Sequence, residues 1–356
     1  MGRRNILVLE PYFGGSHQSF LAGLQKHLPC AFHLLSLPAR KWKWRMRFAA
    51  PYFAELLRTT AKYDAVLCST FVDVAALRGL GPRWLREVPL LTYFHENQFA
   101  YPVQVEHERD LHFAVTNFLS ALASDRVAFN SRYNMESFFA GCEEIVKKIP
   151  DMKMDRVGEL RRKSTVLYPG VEFAGLDQAA CAGPAGDGVP VIVWNHRWEY
   201  DKNPDFFFRT LFQLRELQVE YQLIVLGQSF GQQPGIFDEI RAMLGPRLLH
   251  MGFEPDREKY YQWLRRGTLV VSTASHEFYG MSVIEAVRAG CRPLLPNRLS
   301  YPELFPADFL YEDENLLQHL VAGSKQKRLD TLTARQLTER FSWPALAGRY
   351  EAWLNQ

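Results

Sequence analysis

Ile6-Leu7-Val8-Leu9-Glu10 leads into Pro11-Tyr12-Phe13-Gly14-Gly15-Ser16-His17 near the start of the chain. The short apolar run predicts a buried strand, and apolar residues at helical spacing over Ser16–His27 predict a helix after the glycines. A strand, a glycine turn and a helix in this order begin a parallel α/β unit. The same alternation continues through the chain, which predicts doubly wound parallel sheets.

The alternation occurs in two blocks, one in each half of the sequence. The first block has the predicted strands Ile6–Glu10, Phe32–Leu37, Ala65–Ser69, Leu90–Phe94, Arg126–Asn130 and Thr165–Leu167. The second has Val189–Trp194, Gln222–Leu226, Leu248–Met251, Leu269–Ser272 and Pro293–Leu295. Predicted helices include Ser16–His27, Phe48–Thr60, Asp110–Ala123, Asp205–Leu217, Ile236–Leu244, Asp256–Arg265, Leu329–Arg340 and Pro344–Asn355, with helix-starting serines at Ser16 and Ser131.

A segment rich in Gly, Ala and Pro, 179–188, separates the two blocks and predicts a linker. We therefore predict two Rossmann-like domains, residues 1–172 and 187–338, and a final helix within 339–356 that packs back on the first domain. Open parallel sheets bind ligands at the carboxyl ends of their strands, so we expect the chemistry in a central cleft.

Composition excludes several classes of protein. The 356 residues are 47% apolar with a net charge of +3, and they contain no apolar run long enough to span a bilayer. The N-terminus enters the first strand without the apolar stretch of a signal peptide. Five scattered cysteines without CxxC spacing suit reduced thiols. These features predict a cytoplasmic α/β enzyme.

The strongest local motif is His276-Glu277-Phe278-Tyr279-Gly280-Met281-Ser282-Val283-Ile284-Glu285. Gly280, Met281 and Ser282 are predicted to start a helix whose N–H groups face a diphosphate. Glu277 precedes that helix and is placed to accept hydrogen bonds from sugar hydroxyls, whereas Glu285, two turns later, is placed to hold a ribose diol. Either acid alone is more typical of a solvated surface, but the combination predicts a sugar-nucleotide site.

Two cations follow the strand Val189–Trp194. Arg197 and Lys202 lie in a predicted strand-to-helix loop, where paired cations bind a diphosphate and stabilise the charge that develops as it leaves. Surface ion pairs with Glu199 or Asp201 are an equally good interpretation of this segment.

Polar residues follow two strands of the first half. Gly14 and Gly15 allow close approach to a phosphate or sugar, but the turn departs from GxGxxG, which argues against a nicotinamide dinucleotide. His95 follows the strand Leu90–Phe94 and is predicted to contact the transferred sugar or the acceptor. The predicted acceptor contacts are Ser16, His17, Glu96, Asn97 and Gln98.

A basic and aromatic run carries five cations and no acid over eight residues, Arg40-Lys41-Trp42-Lys43-Trp44-Arg45-Met46-Arg47. Cations neutralise phosphates and indoles stack on unpaired bases, which favours a nucleic-acid partner for Arg40, Lys41, Trp42, Lys43, Trp44, Arg45 and Arg47. A solvated face and a surface for acidic lipids remain alternatives.

Metal-dependent chemistry is not indicated. His95, His107 and His112 lack a clear ligand spacing, and no DxD pair occurs where a metal-dependent transferase needs one. We expect neither a metal nor another cofactor.

Together these motifs resemble glycosyltransferase family 4 and, within it, the tRNA-queuosine α-mannosyltransferases. The residues that carry the likeness are Leu9–His17, Lys41–Arg45, Thr92–Gln98, His196–Lys202, His276–Gly280 and Tyr301–Pro306. The resemblance implies a GT-B fold, metal-independent transfer from GDP-mannose with retention, and queuosine in the tRNA anticodon loop as acceptor. It assigns the acceptor to the first domain and the nucleotide sugar to the second.

By the same likeness, Arg197 and Lys202 hold the donor diphosphate, Glu277 the transferred sugar and Glu285 the ribose. Since no carboxylate nucleophile is evident, retention suggests front-face attack with the leaving phosphate as base. We therefore expect a nucleotide sugar and queuosine-containing tRNA as partners and no stable membrane association. Two competing interpretations are a GT-B glycosyltransferase acting on a lipid or polysaccharide acceptor, with the basic run meeting an anionic membrane, and a tRNA-binding protein with a vestigial transferase site.

Overall fold

The computed structural model describes residues 3–57, 63–103, 110–151, 156–180, 188–229 and 234–355. Its strands are β1 Arg4–Phe13, β2 Cys30–Pro38, β3 Ala65–Ser69, β4 Leu90–Phe94, β5 Arg126–Phe129, β6 Ser164–Val166, β7 Val191–Asn195, β8 Gln222–Leu226, β9 Leu248–Gly252, β10 Leu269–Val271, β11 Arg292–Pro296 and β12 Leu310–Tyr311. No helix within these ranges is long and apolar enough to cross a membrane.

Fifteen α-helices accompany these strands in the described ranges. They are α1 Gly15–His27, α2 Trp42–Leu56, α3 Val74–Leu80, α4 Leu111–Ala123, α5 Arg132–Lys148, α6 Val157–Arg162, α7 Ala174–Gln178, α8 Pro204–Glu216, α9 Ile236–Leu244, α10 Arg257–Arg266, α11 Met281–Arg288, α12 Tyr301–Leu304, α13 Leu316–Gly323, α14 Thr331–Thr338 and α15 Trp343–Asn355. Residues 58–60 of the predicted second helix and 181–187 of the predicted linker lie outside the description.

The first unit is built on a six-stranded parallel sheet of order β2-β1-β3-β4-β5-β6. Val8 in the central strand pairs with Leu34 on one side and Leu67 on the other, and both neighbours run parallel to it. Strands that are apolar on both faces need helices on both sides. The predicted doubly wound sheet is therefore confirmed for this half.

The second unit repeats the architecture with the order β12-β11-β10-β7-β8-β9. Its core surrounds Trp194 of β7, which contacts Phe207 and Phe208 of α8 and Phe237 of α9. The short edge strand β12, which sequence analysis did not predict, pairs through two residues with β11. Two residues are too few to produce a recognisable strand pattern.

The unit boundaries differ by a few residues from the domains predicted at 1–172, 187–338 and 339–356. The first unit comprises residues 1–170 and 343–356, and the second comprises 171–342. The final helix α15 belongs to the first unit, where Trp343, Tyr350 and Trp353 join the core that contains Phe20 and Leu24 of α1. The chain therefore passes through the second unit and returns to the first.

Gly23 of α1 marks the tightest point of this packing. A Cβ placed there would come within 2.0 Å of the Trp343 indole. We expect Gly23→Ala to destabilise the protein by about 1–3 kcal/mol, because the indole or the helix must shift. Gly348→Ala on α15, where a Cβ meets open space, is the matched control in chemical denaturation. Equal midpoints for the two variants would contradict this packing.

Two local predictions need correction. Ser16 does not cap α1: the helix begins at Gly15 with Gly14 as its N-cap, which leaves Ser16 in the first turn. Helix α2 begins at Trp42 rather than Phe48, because Met46, Ala49, Ala50 and Phe53 bury a face at helical spacing. Ser131 does cap α5, accepting a hydrogen bond from the Asn134 amide at 2.9 Å.

Candidate active site

In the second unit, the loops after β7 and β10 are joined by hydrogen bonds. The Thr273 hydroxyl donates to the Lys202 carbonyl at 2.9 Å, and the Ser275 amide donates to the Asp201 carbonyl at 2.9 Å. The predicted motifs around Lys202 and Glu277 thus lie together at the carboxyl end of one sheet, as expected for an open parallel sheet.

Lys202 is the centre of a buried group that we call the Lys202 cluster, formed by Asp201, Lys202 and Glu277. The Lys202 ammonium lies 3.1 Å from Asp201 Oδ2 and 3.2 Å from Glu277 Oε2, and it donates to the His276 carbonyl at 2.6 Å. All three charged side chains are largely excluded from solvent. The Lys202 ammonium is thus held in place by two carboxylates and a backbone carbonyl.

Charge in the Lys202 cluster controls the protonation of its neighbours. Burial alone would raise the pKa of Glu277, but the Lys202 ammonium lowers it to about 2, so this carboxylate is ionised. Burial, assisted by the same ammonium, lowers the pKa of His196 and of His276 to about 4. Both imidazoles are therefore neutral near pH 7.

Arg197 occupies a different environment from Lys202. Its side chain is exposed, 2.8 Å from Glu199 and 3.7 Å from Asp201. The ion pairs that sequence analysis gave as the alternative for Arg197 and Lys202 are thus present in the structure. Their presence does not oppose a role in donor binding, since a diphosphate can replace a carboxylate as the partner of the exposed Arg197 guanidinium.

Gly280, predicted to start the helix, is the N-cap of α11 and has a left-handed backbone, with a φ of 98°. Met281 and Ser282 form the first turn, whose N–H groups have no acceptor within the helix. A Cβ at Gly280 would lie 3.3 Å from the Tyr301 ring. Because glycine adopts positive φ without strain, Gly280 allows the chain to turn into α11 at this point.

We expect Gly280→Ala to cost about 1–2 kcal/mol of stability, because an L-residue is strained at this φ. Gly79→Ala is the control, since a Cβ on that α3 residue meets open space and alanine favours helix. Thermal denaturation of both variants gives the comparison. A Gly280→Ala protein as stable as the wild type would refute the strain.

Glu285 is buried on α11, five residues after Gly280. Its Oε1 accepts from Arg257 Nη2 at 2.7 Å and its Oε2 from the Tyr260 hydroxyl at 3.0 Å, both on α10. Burial and the Glu285 charge together raise the pKa of Tyr260 well above its usual value, which keeps this hydroxyl a donor. Sequence analysis did not find Arg257 or Tyr260, because they come from another helix.

In the first unit, the carboxyl end of β1 carries a second buried group, the His17 cluster, formed by Glu10, His17, His95 and Glu96. His17 Nδ1 lies 2.9 Å from Glu10 Oε2, and His17 Nε2 lies 3.4 Å from Glu96 Oε2. The His17 and His95 rings are 4.0 Å apart at their centroids. This places three predicted residues together and adds Glu10, which sequence analysis treated only as the end of a strand.

The two histidines of the His17 cluster differ in charge: His17 is protonated and His95 is neutral. Burial alone would lower the pKa of His17, but Glu10 and Glu96 raise it to about 10. Burial and the adjacent His17 charge lower the pKa of His95 well below its usual value. An imidazolium thus lies beside a neutral imidazole.

Other predicted residues of the first unit lie in distinct places. Gly15 and Ser16 are exposed at the start of α1, next to Gly14. Asn97 is fully buried, and its amide nitrogen donates to Asn134 and Ser137. The Gln98 backbone amide donates to Asn117. Asn97 therefore holds the loop after β4 in place and does not join the His17 cluster.

The basic run lies at the start of α2, with Lys41 as a left-handed N-cap. Because the run is helical, its side chains point in different directions. Trp42 packs inward on Phe113, with ring centroids 5.2 Å apart, whereas Trp44 is exposed. Arg45 donates to the Pro38 carbonyl. The run is thus two faces of one helix, and not one continuous surface.

Glu10, His17 and His95 bring potential metal-ligand atoms within 4.8 Å of one another. This group has no recognisable spacing in the sequence, because its members follow two different strands, and the spacing of His95, His107 and His112 does not include Glu10 or His17. His107 lies outside the described residues. The two carboxylates occupy both His17 nitrogens, so the geometry favours a protonated ring over a metal ligand.

The chain is similar to known proteins along most of its length. Residues 5–171 match the family described as tRNA-queuosine alpha-mannosyltransferase N-terminal. A tRNA-queuosine alpha-mannosyltransferase of Drosophila melanogaster is 37% identical over 321 residues, which covers 88% of this chain and 85% of the relative. The chain belongs to the tRNA-queuosine alpha-mannosyltransferase family. The predicted family and the predicted glycosyltransferase class are confirmed.

Solved structures agree with the fold of this family. The lipopolysaccharide outer core galactosyltransferase WaaB covers 99% of both chains with a TM-score of 0.66 at 14% identity. HepE of Anabaena, solved with UDP and glucose, covers 99% of this chain and 100% of its own, with a TM-score of 0.69 at 13% identity. At these identities the likeness concerns the fold alone. The predicted GT-B fold is confirmed.

Proposed function

We propose that this chain transfers mannose from GDP-mannose, with retention of configuration, to queuosine in a tRNA anticodon loop. Family membership supports the reaction and the acceptor. The observation that carries the chemistry is the buried Lys202 ammonium beside the ionised Glu277 carboxylate at the carboxyl end of β7 and β10. A fixed cation and a sugar-binding acid are what departure of a nucleoside diphosphate requires.

In this proposal the second unit holds the donor. Lys202 and Arg197 neutralise the diphosphate, together with the first-turn amides of Met281 and Ser282. Glu277 accepts hydrogen bonds from mannose hydroxyls, for which its low pKa keeps both oxygens available as acceptors. Arg257 and Tyr260 orient Glu285 so that its remaining lone pairs meet the ribose diol.

The first unit holds the acceptor. Neutral His95 can accept a hydrogen bond from a hydroxyl, because burial and the adjacent His17 charge lower the pKa of its ring. Glu96, held by the Thr70 hydroxyl at 2.6 Å, is placed to accept from a second hydroxyl. A pair of neighbouring acceptors suits a diol such as that of queuosine, with Ser16 and Gln98 at its edge and Gly14 and Gly15 allowing close approach.

Chemically, the acceptor oxygen attacks the anomeric carbon on the face from which the β-phosphate oxygen departs. The C–O bond to GDP breaks as the new glycosidic bond forms, and the hydroxyl proton passes to the departing phosphate. Lys202 and Arg197 stabilise the negative charge on that phosphate. No carboxylate nucleophile or metal is needed in this scheme.

The experiment incubates purified protein with GDP-mannose and total tRNA, digests the tRNA and measures queuosine by mass spectrometry. We expect a hexose mass shift on queuosine that is absent with queuosine-free tRNA. UDP-glucose and UDP-galactose in parallel identify the donor. No shift with any nucleotide sugar overturns the tRNA acceptor and directs the search to lipid and polysaccharide acceptors.

Metal independence and a cytoplasmic location are further parts of the proposal. Both His17 nitrogens are engaged by carboxylates, and the charge on the leaving group is met by Lys202 and Arg197. We expect the initial rate to be unchanged when EDTA replaces added divalent ions. A rate that falls with EDTA and returns with one metal would show that an ion takes part.

Fractionation of cells that carry the tagged protein tests the proposed cytoplasmic location.

A further inference from the structure

Helix α2 carries an exposed aromatic stripe that the proposed reaction does not use. Trp44, Phe48 and Tyr52 recur every fourth residue with exposed fractions of 65%, 57% and 47%, so they lie on one side of the helix. The Trp44 and Phe48 rings are stacked, 5.5 Å apart with an interplanar angle of 26°. We call these three residues the α2 stripe. Large side chains exposed in a row are typical of a binding surface.

Positive charge surrounds the α2 stripe. Arg40, Lys41, Lys43 and Arg47 are exposed, and none forms an ion pair with a carboxylate in the described part of the chain. The sequence contains no acid between Pro38 and Ala54. Uncompensated cations beside planar rings are the combination that binds single-stranded nucleic acid, in which phosphates and exposed bases alternate. A partner protein would have to supply matching acids, and a lipid surface accepts aliphatic side chains as readily as planar rings.

Helix α2, whose outer side carries the α2 stripe, contacts the His17 cluster through a layer of packed rings on its inner side. Trp42, at the start of α2, lies 6.5 Å from Phe71 between ring centroids, and Phe71 lies 5.5 Å from His17. From Trp44 to Tyr52 the stripe extends about 12 Å along the helix. Nucleotides a few positions from one bound at the His17 cluster are therefore within its reach.

We propose that Trp44, Phe48 and Tyr52 stack on unpaired bases beside the acceptor nucleotide, while Lys43 and Arg47 bind the adjoining phosphates. The inference rests on the proposed function, since it takes the acceptor to be a nucleotide in a single-stranded RNA loop. Such loops are recognised by stacking their splayed bases on aromatic side chains. It assigns recognition of the RNA around queuosine to the outer side of α2.

The test measures tRNA binding by fluorescence anisotropy over a series of salt concentrations. Trp44→Leu and Phe48→Leu keep the surface apolar but remove the ring, whereas Trp44→Phe keeps a ring. We expect each leucine variant to weaken binding about 5- to 100-fold with an unchanged salt slope, and phenylalanine to restore much of it. Lys43→Gln and Arg47→Gln should each lower the slope of log K against log salt by about 1.

Leu332→Ala in the second unit is the matched control, because Leu332 is as exposed as Trp44 at 67%. Its tRNA affinity should equal that of the wild type. In steady-state transfer, the leucine variants should raise KM for tRNA and leave kcat near the wild-type value, because the Lys202 cluster is untouched.

The outcomes separate this inference from the proposed function. Wild-type protein that mannosylates tRNA while Trp44→Leu binds tRNA normally overturns the stacking role alone. Wild-type protein that transfers nothing to tRNA overturns the function on which it rests. A Trp44→Leu protein that binds tRNA normally but no longer forms a dimer in light scattering would show that the α2 stripe binds a second copy. A Trp44→Leu protein that binds tRNA normally but no longer binds anionic phosphatidylserine vesicles would show that it binds a lipid surface. Either result overturns the inference.

Discussion

Replacement of Lys202 by methionine is expected to lower kcat for sugar transfer by about 10²- to 10³-fold, with a much smaller loss of donor affinity. The ammonium lies between Asp201 and Glu277 and is fixed by the His276 carbonyl. A cation held in this way matters most when negative charge develops on the leaving phosphate. Arg197 and the first turn of α11 also contribute to donor binding in this proposal, so the variant loses less binding free energy for the donor than for the transition state.

Stability must be measured alongside these rates, because Lys202→Met leaves two buried carboxylates without their cation. Lys163→Met is the matched control: this partly buried lysine of the first unit donates to the Leu122 and Ser124 carbonyls. It should lower the unfolding midpoint and leave transfer unchanged under conditions where both variants are folded. Equal losses in kcat and in donor affinity for Lys202→Met would count against leaving-group stabilisation.

His17→Gln is expected to destabilise the protein by about 3–5 kcal/mol at pH 7, because Glu10 and Glu96 lose the cation between them. The pKa of His17 is raised to about 10 in the folded protein, whereas it is about 6.5 in an unfolded chain. Its contribution is thus fully present below about pH 6.5 and is lost as the pH rises through about 10. Between these limits it falls by about 1.4 kcal/mol per pH unit.

Urea denaturation of wild type and His17→Gln at pH 7, 8 and 9 measures this effect. The difference in unfolding free energy between the two proteins should shrink as the pH rises. His27→Gln removes a histidine from the same helix, where the ring stacks on Trp343, and controls for the substitution itself. A His17→Gln difference that is constant from pH 7 to 9 would mean that His17 is not held as an imidazolium.

Much of the candidate site was predictable because its residues lie in the loops and first helical turns that follow strands. Lys202 and Glu277 come after β7 and β10, and His17 and His95 come after β1 and β4. The loops that leave parallel strands emerge at one edge of the sheet, so a strand prediction is also a prediction of neighbours. The predicted roles of these residues await the experiments above.

Partners contributed by other elements were not predictable. Glu285 is oriented by Arg257 and Tyr260 of α10, and nothing in the pattern of α10 distinguishes these residues from other polar residues on its surface. The choice of partner depends on how two helices pack on a sheet. Asn97 shows the converse: it lies in the same loop after β4 as His95, but its side chain holds that loop in place through Asn134.

The sequence by itself determined two parallel α/β sheets, the family and the strand ends at which the candidate site lies. These features depend on alternating apolar runs and short motifs, whose physical origin is local. Only the tertiary structure decided that Glu10 holds His17 as a cation, that α15 returns to the first unit, and that Trp44 is exposed while Trp42 packs inward on Phe113. Side-chain burial and charge state depend on packing between residues far apart in sequence, and local patterns contain no record of it.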